Sequence, residues 1–263
     1  MSDSLPLRLV LASASPARRK SLQAAGIEPD VLVSGVDESV VVTDRAEDLC
    51  LELARLKAQA VLTRLSPSTP PTSPSPGTDP GLSASPDPGL SAGPVTSTST
   101  STSTSTSTST NQRTLVIGCD SVLAFDGEIL GKPADPADAT RRWQRMRGRS
   151  GVLHSGHCLI DMAAGRRAEA VASTTVHFAD ISDDEIAAYV ASGEPLAVAG
   201  AFTIDGLGGP FVERIEGDPG TVVGLSMPLL RRLLAELGLQ ITDLWTKVAP
   251  GGQSVEPLGN VRS

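Results

Sequence analysis

Aromatic side chains are almost missing from this chain, which has four Phe, two Trp and one Tyr in 263 residues. The sizeable core that a 40% hydrophobic composition allows must therefore be largely aliphatic. Cysteine is nearly as scarce. Cys50, Cys119 and Cys158 are odd in number, widely spaced and never in CxxC order, which argues against a zinc site or a disulfide framework. Buried, reduced thiols are the expectation. Positive charge is in deficit too. A net charge of −8 argues against a broad nucleic-acid surface, which is normally basic, yet leaves room for a local Lys/Arg cluster that grips a small phosphorylated ligand. No apolar run approaches the roughly 18 residues of a membrane span. With Asp3 and a strand so near the start, there is no room for a signal peptide. A soluble, cytoplasmic protein is expected, with neither nucleic acid nor membrane as partner.

Several catalytic signatures are absent as well. There is no GxSxG and no HExxH. GEILGKP (127–133) resembles a phosphate-binding P-loop, but it is one residue short, and Pro133 stands where a Mg²⁺-binding Ser or Thr is needed. GLGG (206–209) lacks the spacing of a dinucleotide fingerprint. His154 and His157 lie three apart in a predicted strand and so point to opposite faces, which suits structural roles better than a shared site.

From about Ser66 to Asn111 the chain is almost wholly Ser, Thr, Pro and Gly, with PGLSA occurring twice and a strict Ser/Thr alternation from Thr96 to Thr110. Such a stretch buries too little to offset its ordering entropy, and is expected to be a disordered insert. It interrupts a single domain spanning 1–247, followed by a flexible tail over 248–263. Long inserts are tolerated because loop closure grows only logarithmically with length.

Strands and helices alternate on either side of the insert. The pattern predicts strands at 8–12 and 30–36, with a helix opened by Ser15-Pro16 and closed at Gly26. A second helix is expected to start on an Asp44/Glu47 capping box and bury Leu49, Leu53, Leu56 and Ala60. Beyond the insert come a strand at 114–125, a helix opened by Asp135-Pro136, and an antiparallel pair at 151–162 and 169–178. A helix capped by Ser182 and Glu185 and a last one over 228–237 complete a mixed α/β fold.

Three segments place polar groups at the edges of these elements. SASPARR (13–19) opens a helix with free amides, two hydroxyls and two guanidiniums, an arrangement that favours an anion. In GCDS (118–121), Asp120 sits inside an apolar strand, where a carboxylate needs a cationic or metal partner. GKP (131–133) holds Lys132 on a loop, and Lys57 lies one step off the apolar face of its helix. Taken one at a time, each segment also has an ordinary structural explanation.

Together they resemble a known family. LASASPARRKSLQAAGI, the VDE of 36–38, LARLKAQAV, GCDSVLAFDGEILGKP, HSGHCLI, the Gly193-Glu194-Pro195 step, AGAFTIDGLGG and IEGDPGTVVGLSMPLL are similar to segments of the Maf family of nucleotide pyrophosphatases, in the family's order, over about residues 7–238 apart from the insert. The resemblance implies an elongated, curved mixed sheet with two lobes around a nucleotide cleft. It also implies metal-assisted cleavage between the α- and β-phosphates of a nucleoside triphosphate. Asp120 then corresponds to the proton acceptor, and Ser13, Ser15, Arg18, Glu38, Lys57 and Lys132 to the phosphate and metal site. Glu38 and Asp120 are the candidate ligands for Mg²⁺ or Mn²⁺. The family's frequent dimers make a homodimer the expected assembly.

Family subgroups differ at three positions, where this chain has Ala17, Ser121 and Asp205. These match neither the dTTP/UTP-like set (Arg, Thr, Gln) nor the 7-methyl-GTP-like set (Trp, Gln, Glu), so a broader triphosphate range is expected. Two other readings compete: a nucleotide-responsive regulator of septum formation with weak catalysis, and a housecleaning enzyme acting on ITP or XTP.

Overall fold

The computed structural model describes residues 7–66 and 112–245. Apart from Ser66, the segment expected to be an insert lies outside those residues, as does the tail after 247.

The described chain runs β1 (Leu7–Leu11), α1 (Pro16–Ala24), β2 (Asp30–Val31), α2 (Ala46–Leu65), β3 (Arg113–Phe125), β4 (Glu128–Leu130), α3 (Pro136–Met146), β5 (Ser150–Asp161), β6 (Arg166–Phe178), α4 (Asp183–Ala191), β7 (Val212–Glu216), α5 (Pro219–Val223) and α6 (Met227–Glu236). One mixed seven-stranded sheet is ordered β2-β1-β3-β5-β6-β7, with β4 also paired to β3. β1 is parallel to β2 and β3, and the other pairings are antiparallel. This is the expected α/β class, a mixed sheet flanked by helices.

The register of β3 positions the site. On one edge, β1 pairs with residues 113–117 and β4 with 123–125. Among the described residues, no strand pairs with 118–122 on that edge, so the GCDS segment lies in a gap between a parallel and an antiparallel neighbour. Ligands of open α/β sheets favour crevices at such changes of strand order.

Side-chain alternation then sorts β3 between two faces. Val116 and Val122 pack towards α2 with Ala54, Ala58, Val61, Ala46 and Cys50. Leu115, Ile117 and Cys119 face a core built from α1 and α6, and Leu123 and Phe125 face a second core around Trp143, Phe178, Ile186 and Phe202. These two apolar cores lie on the same side of the sheet. Between them runs a polar belt that includes Ser121, Ser155 and Thr221.

Helix α2 lies unusually close to the sheet. A Cβ at Gly118 would meet the Ala54 carbonyl oxygen at 2.2 Å, and one at Gly156 would meet that of Cys50 at 2.3 Å. Only glycine permits this backbone-to-backbone approach. The close fit also changes the helix face expected from the sequence. The buried residues are Ala46, Cys50, Leu53, Ala54, Lys57, Ala58 and Val61, whereas Leu49, Leu56 and Ala60 are only half-buried. Small side chains, rather than the leucines, meet the glycines.

Other differences have local causes. The second strand is two residues long rather than seven, because only Asp30 and Val31 find partners on β1 before the chain turns at Gly35, whose φ is +68°. The capping box on Asp44 does not form, since α2 starts at Ala46 with Arg45 in the cap position and no side-chain cap. The segments forming β4, β7 and α5 carry too few residues for a periodicity to show. By contrast, the caps at Ser15, Asp135 and Ser182 all form, the last as a complete capping box.

Candidate active site

Lys57 is the centre of the α2 side of the site. Its ammonium is 2.5 Å from Asp120 Oδ1 and 2.6 Å from Glu38 Oε1. Lys57 is 8% exposed and Asp120 is 7% exposed, so this is a nearly buried pair. Burial pushes the Asp120 pKa up, and the positive charges of Lys57 and Arg18 oppose that rise. Glu38 opens a short 3₁₀ turn, Glu38–Val40, and its side chain is half-exposed. A buried ion pair adds little net stability over apolar residues of the same volume. Stability alone is thus a poor reason to keep a lysine and a carboxylate here, and a role in chemistry is a better one.

Arg18 is the centre of the opposite side. Its Nε donates to the Gly224 carbonyl at 2.9 Å, its Nη1 to Ser13 Oγ at 3.0 Å and its Nη2 to Ser121 Oγ at 3.1 Å. Ser13 Oγ also accepts from the Ser15 amide at 3.2 Å, and Ser15 Oγ caps α1 by accepting from the Arg18 amide at 3.4 Å. SASPARR therefore performs two tasks: it starts a helix and folds the third helical side chain back over the loop. Ala17 lies half-buried between them.

Ser13, Ser15, Arg18, Glu38, Lys57, Asp120 and Ser121 thus gather at the gap beside β3, split between its faces. Lys132 does not join them. It is exposed on the turn after β4 and forms no ion pair with Glu38 or Asp120 among the described residues. Asp205 is also apart, exposed on the 203–208 loop. That loop is organised by Glu194, whose carboxylate accepts from Thr203 Oγ1 at 2.5 Å, from Gly208 N and Leu207 N at 3.0 Å each, and from the Tyr189 hydroxyl at 3.2 Å.

The site has supports that the sequence did not advertise. Gly224, with φ +107°, brings its carbonyl to Arg18, and a Cβ there would lie 2.9 Å from Arg18 Nε. Ser155 Oγ lies 2.7 Å from Ser121 Oγ and 2.8 Å from the Thr221 carbonyl. The signal for Ser155 is its register opposite Ser121 on β5, which only strand pairing reveals.

The three cysteines are buried and free, as expected. Burial pushes the Cys50 and Cys158 thiols up to about 12 and Cys119 to about 11, so they stay protonated and inert. His154 and His157 are buried in the sheet, consistent with structural roles. No described helix is long and apolar enough to cross a membrane.

The model of the Maf-like protein family matches residues 8–237. The chain belongs to that family. Among relatives of this Maf-like chain, a protein of Salinispora tropica is 69% identical over 257 residues, covering 98% of this chain and 94% of the relative. A Streptomyces coelicolor protein is 50% identical over 238 residues, covering 90% and 94%. One from Thermosynechococcus vestitus is 45% identical over 238 residues, covering 90% and 98%. All three bear the name nucleoside triphosphate pyrophosphatase.

Proposed function

We propose that this Maf-like chain hydrolyses nucleoside triphosphates to the monophosphate and pyrophosphate, cleaving the bond between the α- and β-phosphates. The reading is carried by one observation: a buried Lys57–Asp120 pair and a fixed Arg18 flank the same stretch of β3, open on one edge. The names of the relatives support it.

In this reading Asp120 accepts a proton from a water whose oxygen attacks the α-phosphorus, and the bond to the bridging oxygen breaks as pyrophosphate leaves. A carboxyl whose pKa is raised by burial is a stronger base than an exposed one, which suits that task. Lys57 holds the carboxylate in place and, with Arg18, opposes the charge that grows on the departing pyrophosphate. Ser13 contributes a hydroxyl whose acceptor sites are occupied by Arg18 and Ser15, leaving its proton for a phosphate oxygen. Ser15 lies beside it on the loop, and Lys132 reaches the polyphosphate from the β4 turn once substrate is present.

The donor set fits a hard divalent cation. No group of three or more His, Cys, Asp or Glu that could hold a metal occurs among the described residues, but Glu38 and Asp120 converge on one ammonium. Mg²⁺ typically takes one or two carboxylates and fills its remaining positions with water and substrate phosphates. Glu38 and Asp120 would hold Mg²⁺ or Mn²⁺, which when bound neutralises the polyphosphate.

Ala17 and Asp205 are the positions proposed to set base preference. The protein is proposed to work in the cytoplasm, as a homodimer. The test is a panel of common and modified triphosphates, ITP included, with Mg²⁺ or Mn²⁺. Equal amounts of pyrophosphate and monophosphate are expected. Release of orthophosphate alone, or no turnover of any nucleotide, would overturn the reading.

A further inference from the structure

The belt between the two apolar cores contains a hydrogen-bond chain with only one possible direction. The Thr221 carbonyl can only accept, so Ser155 gives it its single proton across 2.8 Å. Ser121, 2.7 Å away, must then donate to Ser155. Arg18 Nη2, which can only donate, completes the chain on Ser121 at 3.1 Å. No hydroxyl proton is left over.

Two further bonds, to Gly224 O and Ser13 Oγ, fix the guanidinium from other sides. Three of its five N–H groups are thereby committed, leaving one on each terminal nitrogen for a ligand, which suits two-point contact with a phosphate. Ser155 and Thr221 are both fully buried. Burying polar groups between two apolar cores is costly unless every one is paired, and here each is.

We propose that Ser121 and Ser155 are positioning residues that set the Arg18 guanidinium for the polyphosphate, and that Ser121 donates no hydrogen bond to the base. Ser121 has no proton to give to a base carbonyl or ring nitrogen, because Ser155 takes it. The inference rests on the pyrophosphatase reading above and assigns Ser121, at a position where family subgroups differ, a task that is the same for every nucleotide.

The test measures kcat/KM for ATP, GTP, CTP, UTP and dTTP with wild type, Ser121→Ala, Ser155→Ala and Ser155→Thr. Binding of inorganic pyrophosphate is measured by calorimetry on the same proteins. Each alanine variant should lose about tenfold in kcat/KM, the scale of one hydrogen bond to a charged group. The loss should be the same for all five nucleotides, and pyrophosphate binding should weaken by a similar factor. Ser155→Thr keeps the hydroxyl and should restore both. A change in the ranking of bases, unchanged kinetics, or a threonine variant as poor as the alanine would overturn the proposal. If wild type turns over no triphosphate, the pyrophosphatase reading fails, and pyrophosphate binding still decides whether the serines position Arg18. Should Ser155→Ala lose its circular dichroism signal, Ser121→Ala, at the partly exposed end of the chain, decides alone.

Discussion

Acidification should destabilise this protein through His157, a residue that takes no part in the proposed chemistry. His157 is fully buried on β5, with Nδ1 3.0 Å from the Ser155 carbonyl and Nε2 2.9 Å from the Ser226 amide. An acceptor on one side and a donor on the other assign the proton to Nδ1 and leave Nε2 bare. A second proton would set an N–H against the amide of Ser226, the N-cap residue of α6, at the positive end of that helix. Burial, above all, lowers the His157 pKa from 6.5 to about 4. Between those values the unfolded chain binds a proton that the folded one refuses, so stability is lost as pH falls from about 6.5 to about 4. At about 1.4 kcal/mol for each tenfold change in proton affinity, the full loss is about 3 kcal/mol. Urea unfolding followed by circular dichroism at pH 7.5 and 4.5 measures it. Carboxylates add their own acid loss to any variant, so the comparison is with His157→Gln, whose amide oxygen can still accept from Ser226 but does not titrate. Wild type should lose about 2–3 kcal/mol more than His157→Gln over that interval. Equal losses would refute the reasoning.

Asp120→Asn should lower pyrophosphate release by about 10²–10⁴-fold, the usual contribution of a general base. Its melting temperature should hold, because Lys57 keeps Glu38 as a partner. Gly224→Ala should cost about 1–2 kcal/mol in urea unfolding, since alanine is strained at φ +107°. It should also depress kcat/KM, because the new methyl would press on Arg18. Trp143→Ala should destabilise by about 3–5 kcal/mol, read as a fall in melting temperature. Trp143 is fully buried, stacks edge-on with Phe178, Tyr189 and Phe211, and donates to the Ala201 carbonyl at 2.8 Å, which would lose that bond.

The parts of the fold that were legible in the sequence were those with local causes. Ser15-Pro16, Asp135-Pro136 and Ser182 with Glu185 each cap a helix through atoms three residues apart, so the signal and its structure coincide. The Asp44/Glu47 pattern misled because Arg45 and Ala46 leave the chain entering α2 one step later. Lys57 was the larger misreading of local pattern. Leucine periodicity placed it beside the apolar face, whereas the glycines of β3 and β5 select a face of small residues with Lys57 on it. Asp120 was legible because a carboxylate within an apolar strand demands a cationic partner, and Lys57 supplies one. Ser155, Thr221 and Gly224 were not, because the bonds that link them to one another or to Ser121 and Arg18 span 34 to 206 residues and depend on register and on a turn. Lys132 carries a family-matching identity and Asp205 does not, and the folded chain leaves both exposed, outside the packed cluster.

The contact of α2 with Gly118 and Gly156 carries a consequence for mutation. The ammonium of Lys57 is set against Asp120 by main-chain atoms that have no rotamers to adjust. A single methyl at either glycine cannot be absorbed by a neighbouring side chain, so it must lift the helix and draw Lys57 away from Asp120. The two glycines beneath α2 should therefore tolerate change as poorly as the proposed catalytic carboxylate itself.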